Sequence, residues 1–142
     1  MTLHFDGGWI ILTTQGYEYT SATDYHDANW LRCNLEFKID GLTGKENIFF
    51  LTTDIISFKH ELQILNKSLQ GSAVLSSTDN DTRIEVKSGS RGDLTVSGHI
   101  TKIGTAQYSI DFNATSDQTM MTRCLEDLQL ISEQYPTINI PS

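Results

Sequence analysis

From Leu31 to Asp40 the chain alternates apolar and polar side chains without a break. Leu31, Cys33, Leu35, Phe37 and Ile39 fall on one side, and Arg32, Asn34, Glu36, Lys38 and Asp40 on the other. Successive side chains of a strand point to opposite faces, so this pattern is met by a strand with one face on a core and one toward water. It implies a half-buried antiparallel strand. Gly41 and Gly44 then turn the chain, and Asn47 to Leu51 is the expected returning partner.

The rest of the chain is arranged around that strand. Asp6-Gly7-Gly8 marks a turn into Trp9 to Thr13, rich in β-branched and aromatic residues, and Gly16 marks another into a short partner, Tyr17 to Thr20. After the hairpin, Ile55, Phe58, Leu62, Leu65 and Leu69 recur at spacings of three and four, which puts them on one stripe of a helix. Thr52 or Thr53 is the expected cap, Asp54 suits the first turn, and Gly71 suits a left-handed end. In a domain of mixed content such a stripe is a core face rather than a partner-binding one.

Strands are expected at Ser72 to Ser76, Thr82 to Lys87, Leu94 to Ile100 and Ala106 to Phe112, separated by polar turns. Ser116 or Asp117 then caps a second helix whose apolar face is Met121, Cys124, Leu125, Leu128, Ile131 and Tyr135; Pro136 ends it, and the tail from Thr137 reads as frayed. The loops between strands are too short for parallel crossovers. The expectation is an α+β fold with a largely antiparallel meander sheet of about seven to eight strands. Two amphipathic helices, about residues 53–70 and 117–135, pack on one face, and residues 1–142 form a single domain.

At 142 residues such a domain buries roughly 68–70% of its unfolded surface, so neither a disulfide nor a metal is needed for folding. Cys33 and Cys124 lack metal-ligand or redox spacing and read as buried thiols. The longest purely apolar runs, Trp9 to Leu12 and Ile48 to Leu51, are far short of a membrane span, and the N-terminus lacks a secretory signal. A cytoplasmic location is expected.

The net charge of -8 is unevenly spread: residues 1–31 carry -4 with no Lys or Arg, residues 32–71 are neutral, residues 72–115 carry -1 and residues 116–142 carry -3. The imbalance sits at the two ends. Nucleic acid, which demands a basic patch, is not expected as a partner.

No catalytic constellation emerges. There is no GxSxG elbow and no phosphate-loop glycine spacing, and His60 and His99 fall at outward positions. Arg91-Gly92-Asp93 is explained by a hairpin loop. Only His26 lies among acids, in Asp24-Tyr25-His26-Asp27, and a polar turn whose Asp side chains bond nearby N–H groups accounts for that segment. A binding protein with no catalytic residue, cofactor or metal is therefore favoured. The alternatives are a small acidic enzyme built on His26, Asp24 and Asp27, and a ligand-binding interaction module.

The segment Asp24-Tyr25-His26-Asp27-Ala28-Asn29-Trp30-Leu31 resembles the WapI-type immunity proteins, which neutralise toxic C-terminal domains of bacterial polymorphic and contact-dependent toxins. Further pieces follow in the family's order: Leu62 to Ala73, the strand Ile84 to Lys87, Gly92 to Gly98, and Asp117-Gln118-Thr119 opening a helix that ends in Tyr135-Pro136. Ala28 stands where the pattern has Gly, which argues against a positive-φ turn there. Asp27 to Trp30 reads as a polar turn that delivers an aromatic anchor, Trp30, onto the sheet as a structural residue.

The resemblance implies a stoichiometric inhibitor of a cognate toxin. Many such toxins are nucleases, which must be basic, so an acidic partner mimics the substrate's charge and speeds encounter. Contact candidates follow from charge alone. They are Asp24 and Asp27 in the loop, Asp79 and Asp81 in a turn, and Glu126, Asp127 and Glu133 on the second helix.

Overall fold

In the computed structural model, which describes residues 1–78 and 81–140, strand β1 (Thr2–Phe5) pairs antiparallel with β2 (Gly8–Tyr17). A four-residue helix, α1 (Tyr25–Ala28), precedes β3 (Trp30–Ile39) and β4 (Leu42–Leu51), and these complete a sheet of order β1-β2-β3-β4. Helix α2 (Thr52–Ser68) leads to a second antiparallel meander. Its strands are β5 (Ser72–Ser76), β6 (Thr82–Ser88), β7 (Leu94–Ile103) and β8 (Gln107–Ser116), in that order, and helix α3 (Gln118–Gln134) follows. The fold is α+β, as expected, and all eight strands run antiparallel to their neighbours.

The strands form two four-stranded sheets rather than one meander. The division falls where α2 separates β4 from β5, since short turns let each half pair only with itself. The halves meet instead at β1 and β8. There the Asp6 N–H donates to Thr115 O (2.8 Å), the Ser116 hydroxyl donates to His4 O (2.6 Å), and Phe5 stacks on Phe112 with centroids 5.3 Å apart. Helix α2 packs on β5 and on α3, which in turn packs on β1, so both long helices and both sheets feed one core.

The alternation in β3 holds: Leu31, Cys33, Leu35 and Phe37 are buried, and Ile39 packs against the same core. Its hairpin closes sooner than the sequence suggested. Asp40 adopts a left-handed φ of 51°, giving a two-residue Asp-Gly loop with Ile39 opposite Leu42, so β4 pairs from its first residue. Close packing of rings over glycines recurs in both sheets. A Cβ on Gly44 or Gly98 would strike the ring of its cross-strand partner, Phe37 or Phe112.

Other local expectations change. Tyr17 to Thr20 is not a partner strand; the register shift between Thr14 and Gly16 is a bulge, and β2 runs through it to Tyr17. Ala28 is helical and buried, with no positive φ. Thr52 is the first residue of α2 and not its cap. Leu51 holds the cap position, and its N–H donates to the Asp54 carboxylate at 2.8 Å. At the other end Leu69 takes the left-handed conformation (φ 55°), which leaves it exposed and off the apolar stripe, while Gly71, also at positive φ, turns the chain into β5. Asp117 caps α3 through Met120 N–H (3.2 Å), and the helix stops before Pro136. Cys33 and Cys124 are free and buried, and burial pushes both thiols up to about 12.

Candidate functional site

The segment around Asn29 shows how the chain's two ends are built into one region. Asn29 is 1% exposed. Its Nδ2 donates to Tyr25 O (2.8 Å) and Ile138 O (2.9 Å), while its Oδ1 accepts from Thr52 Oγ1 (3.0 Å) and from Ile138 N–H (2.7 Å). Every hydrogen-bonding position of the amide is filled. One side chain thus fixes α1, the start of α2 and the stretch after α3. The tail is therefore not frayed at Thr137 and Ile138, because Thr137 Oγ1 also donates to Thr52 Oγ1 (3.2 Å).

More contacts join the same blocks. Thr2 N–H donates to Asp127 Oδ2 (3.0 Å), Tyr17 donates its hydroxyl proton to Pro136 O (2.5 Å), and the Tyr17 and Tyr135 rings meet edge to face at 5.5 Å. The two blocks that hold most of the negative charge, residues 1–31 and 116–142, are neighbours in space.

The individual acids divide by role. Asp24 is exposed and caps α1, with Oδ1 accepting the His26 N–H at 2.8 Å, and Asp27 is exposed beside it. Glu126 and Glu133 are exposed and seven residues apart on one side of α3, along a shallow groove that also contains Leu125 and the 64%-exposed Leu130. Glu133 accepts from Gln129 Nε2 (2.9 Å). Asp127 points elsewhere, with its carboxylate engaged in holding β1. Asp81 is half-buried in the turn between β5 and β6, its carbonyl accepting from Thr101 N–H at 2.7 Å. Asp79 lies outside the described residues.

His26 does not assemble a reactive centre. Asp24 is committed to the His26 backbone, and the imidazole packs edge-on against Trp30, with centroids 5.2 Å apart. Among the described residues no group of three or more His, Cys, Asp or Glu side chains gathers as metal ligands.

A different constellation, unforeseen in the sequence, sits on β7 and β8. His99 Nδ1 is 2.7 Å from Asp111 Oδ1, and its Nε2 is 2.9 Å from Thr101 Oγ1, which lies 3.1 Å from Ser109 Oγ. The connectivity is that of a carboxylate, a base and a hydroxyl. However, Asp111 is 78% exposed on an open sheet face, and the Thr101 N–H that could face an oxyanion is bonded to Asp81 O. The arrangement ties β7 to β8.

A cavity of about 800 Å³ forms a cleft between β4 and the far end of the second sheet. Lys45 through Phe49 line one side, and Ser77, Thr82 and residues 101–103 line the other. Trp30 opens β3 and is half-buried on this wall, on the side of the strand that faces away from the core. Phe49 and Ile103 stand at the cleft 42% and 71% exposed.

Glu46 lies inside the cleft and is 8% exposed. Burial pushes its carboxyl above the usual carboxylate range and nearby Asp81 adds to the rise, while Lys102 and a 3.5 Å contact from Thr82 Oγ1 oppose it. Sequence reasoning missed this site because Lys45 and Glu46 read as turn. An aromatic at the outward position 49 of a strand was the available signal.

Among curated proteins, none matches the chain. Against the profiles of protein families, residues 2–136 match the immunity protein WapI-like family, a span that takes in both sheets, both long helices and the cleft. The chain belongs to the immunity protein WapI-like family.

Proposed function

We propose that this protein is the cytoplasmic antidote to a cognate toxin C-terminal domain, a basic nuclease, which it neutralises by covering the active site or the substrate-binding surface. It works stoichiometrically, as a one-domain inhibitor without turnover. The observation that carries this reading is the joining of the two acidic blocks through Asn29, Asp127 and Tyr17. A nuclease must present cations to phosphate, and an acidic surface of matching extent both attracts it and competes for the same groups.

Within that surface, Asp24, Asp27, Glu126 and Glu133 are exposed contact candidates and Asp81 sits half-buried at the cleft, while Asp79, outside the described residues, is a candidate by its charge alone. Asp127 serves first to hold β1. Steering of this kind can bring association toward about 10⁸ M⁻¹s⁻¹ at low salt, with a steep fall as salt rises.

The test is co-expression with the toxin domain encoded beside it. Restored growth and co-purification in equal amounts are expected, whereas growth arrest despite good expression of this chain refutes the reading. Reversing Asp24 and Asp27 to Lys should slow association and flatten its salt dependence. An unchanged rate would remove α1 from the interface.

A further inference from the structure

The cleft has a property that neither the acidic surface nor the family explains. Five consecutive residues of β4, Lys45 to Phe49, line it. Because side chains of a strand alternate between faces, a cavity can touch five in a row only by running along the strand's edge. That edge is open: β4 is the outer strand of its sheet, and among the described residues no further strand pairs with it.

The phase of its hydrogen bonds follows from the hairpin. A two-residue loop makes Ile39 and Leu42 a hydrogen-bonded pair, and bonded and non-bonded pairs alternate from there. Thr43, Lys45, Asn47, Phe49 and Leu51 therefore turn their N–H and C=O groups away from β3. Leu51 fits this phase, since its N–H reaches Asp54. Lys45, Asn47 and Phe49 direct theirs into the cleft.

Exposed edges usually carry devices against pairing, such as proline, bulges or outward lysines. This one has no proline and no bulge, and its single lysine, Lys45, lies 3.6 Å from Glu36 on the neighbouring strand. Among the described residues the cleft is also short of donors for its acids. Among the described residues Glu46 has only the long Thr82 contact as a hydrogen bond, and one Glu18 oxygen is buried with no hydrogen-bond donor and lies 3.5 Å from Arg32. Asp81 adds a third carboxylate, against Lys45 and Lys102. Apolar contact surface is supplied by Trp30, Phe49 and Ile103, the kind of side chain that anchors protein interfaces.

We infer that the cleft receives an extended segment of the toxin, which adds to the sheet beside β4 through the N–H and C=O groups of Lys45, Asn47 and Phe49 and delivers a lysine or arginine to Glu46. Main-chain pairing supplies affinity along the edge, and the buried carboxylate selects a cationic side chain. This inference rests on the toxin-binding reading above and specifies its geometry.

The test uses the full chain and the purified toxin domain encoded beside it. Amide hydrogen exchange is followed in the free protein and in the complex. The amides of Lys45, Asn47 and Phe49 should exchange fast when free and become protected by about 100-fold or more in the complex. Asn47→Pro removes one outward donor without touching the β3 ladder and should weaken binding about tenfold or more. If that variant does not fold, Glu46→Gln in its place should weaken binding by a similar factor. A stable complex with unprotected β4 amides overturns the strand-addition inference and leaves the inhibitor reading intact. No complex with the wild-type chain overturns the inhibitor reading itself.

Discussion

Replacing Asn29 with Ala isolates the junction between the chain's ends. The substitution deletes four hydrogen bonds, to Tyr25 O, Ile138 O, Ile138 N–H and the Thr52 hydroxyl, from a site that is 1% exposed. The bonds differ in what replaces them. Tyr25 and Ile138 are exposed, so once the tail lifts, water satisfies their backbone groups. Thr52 is buried, and its hydroxyl is left with Thr137 alone, itself on the departing tail. At about 0.5 kcal/mol net for each of the four bonds, most of whose partners water can reach, and about 1 kcal/mol more for the stranded hydroxyl and the vacated volume, the loss should be about 3 kcal/mol. For a domain of this size that lowers Tm by roughly 6–12 °C.

Urea unfolding of wild type and Asn29→Ala measures the loss directly, with an unchanged m-value showing that the same surface is exposed. Hydrogen exchange should show the Ile138 amide losing protection while β3 and β6 stay protected. Asn29→Asp is the sharper companion: it keeps the acceptor but turns a second carboxylate oxygen toward two carbonyls, so it should cost at least as much. A loss below about 0.5 kcal/mol for Asn29→Ala, or an unaltered Ile138 amide, would refute the assignment of this residue as the clamp.

Trp30→Ala should cost only about 1–2 kcal/mol in urea unfolding, because the ring is half-buried, yet weaken toxin binding at least about tenfold in a titration. Phe58→Ala, on the fully buried stripe of α2, should cost about 3–5 kcal/mol by the same unfolding assay. Glu46 makes a pH prediction with a definite sign. Its folded pKa is raised by burial, so above its ordinary value of 4.5 the folded state holds the proton longer than the unfolded one. Stability then falls as pH climbs through that window and the penalty is complete above the folded pKa. Glu46→Gln should flatten this part of the stability profile and raise stability at neutral pH. On α3, Glu126→Lys with Glu133→Lys should slow association in stopped flow with little change in Tm, whereas Asp127→Ala should lower Tm by releasing the Thr2 N–H.

Periodicity made the fold largely legible. The unbroken alternation of β3 and the three-and-four spacing of α2 each serve a single face against a single core, so local pattern and tertiary outcome coincide. Where they parted, the deciding partner was remote or the element was short. β1 has only four residues and is held by β2 on one side and by contacts near Thr115 on the other. Gly16 carries the same signal for a bulge as for a turn, and only pairing with β3 distinguishes them.

The site was harder to see. The acids were visible as charge, but nothing near Asp127 signals that it is spent on Thr2, 125 residues away. Asn29 looked like a turn residue because its bonding partners come from Tyr25, Thr52 and Ile138, which only the finished fold brings together. Glu46 sits inside a strand that the sequence placed partly in a loop, and its burial comes from the second sheet.

The Asn29 clamp also sets a clock. Its tail partner lies 109 residues downstream, so α1 cannot reach its final shape until residue 138 has been made. At bacterial elongation rates that interval is roughly 5–20 s. A partly made chain can pair β2 with β3 and close the β4 hairpin, yet it lacks the juxtaposed acidic ends. Of the three ties between the ends, the one through Asn29 thus closes last, and a chain stopped just short of Ile138 keeps only those made by Asp127 and Tyr17.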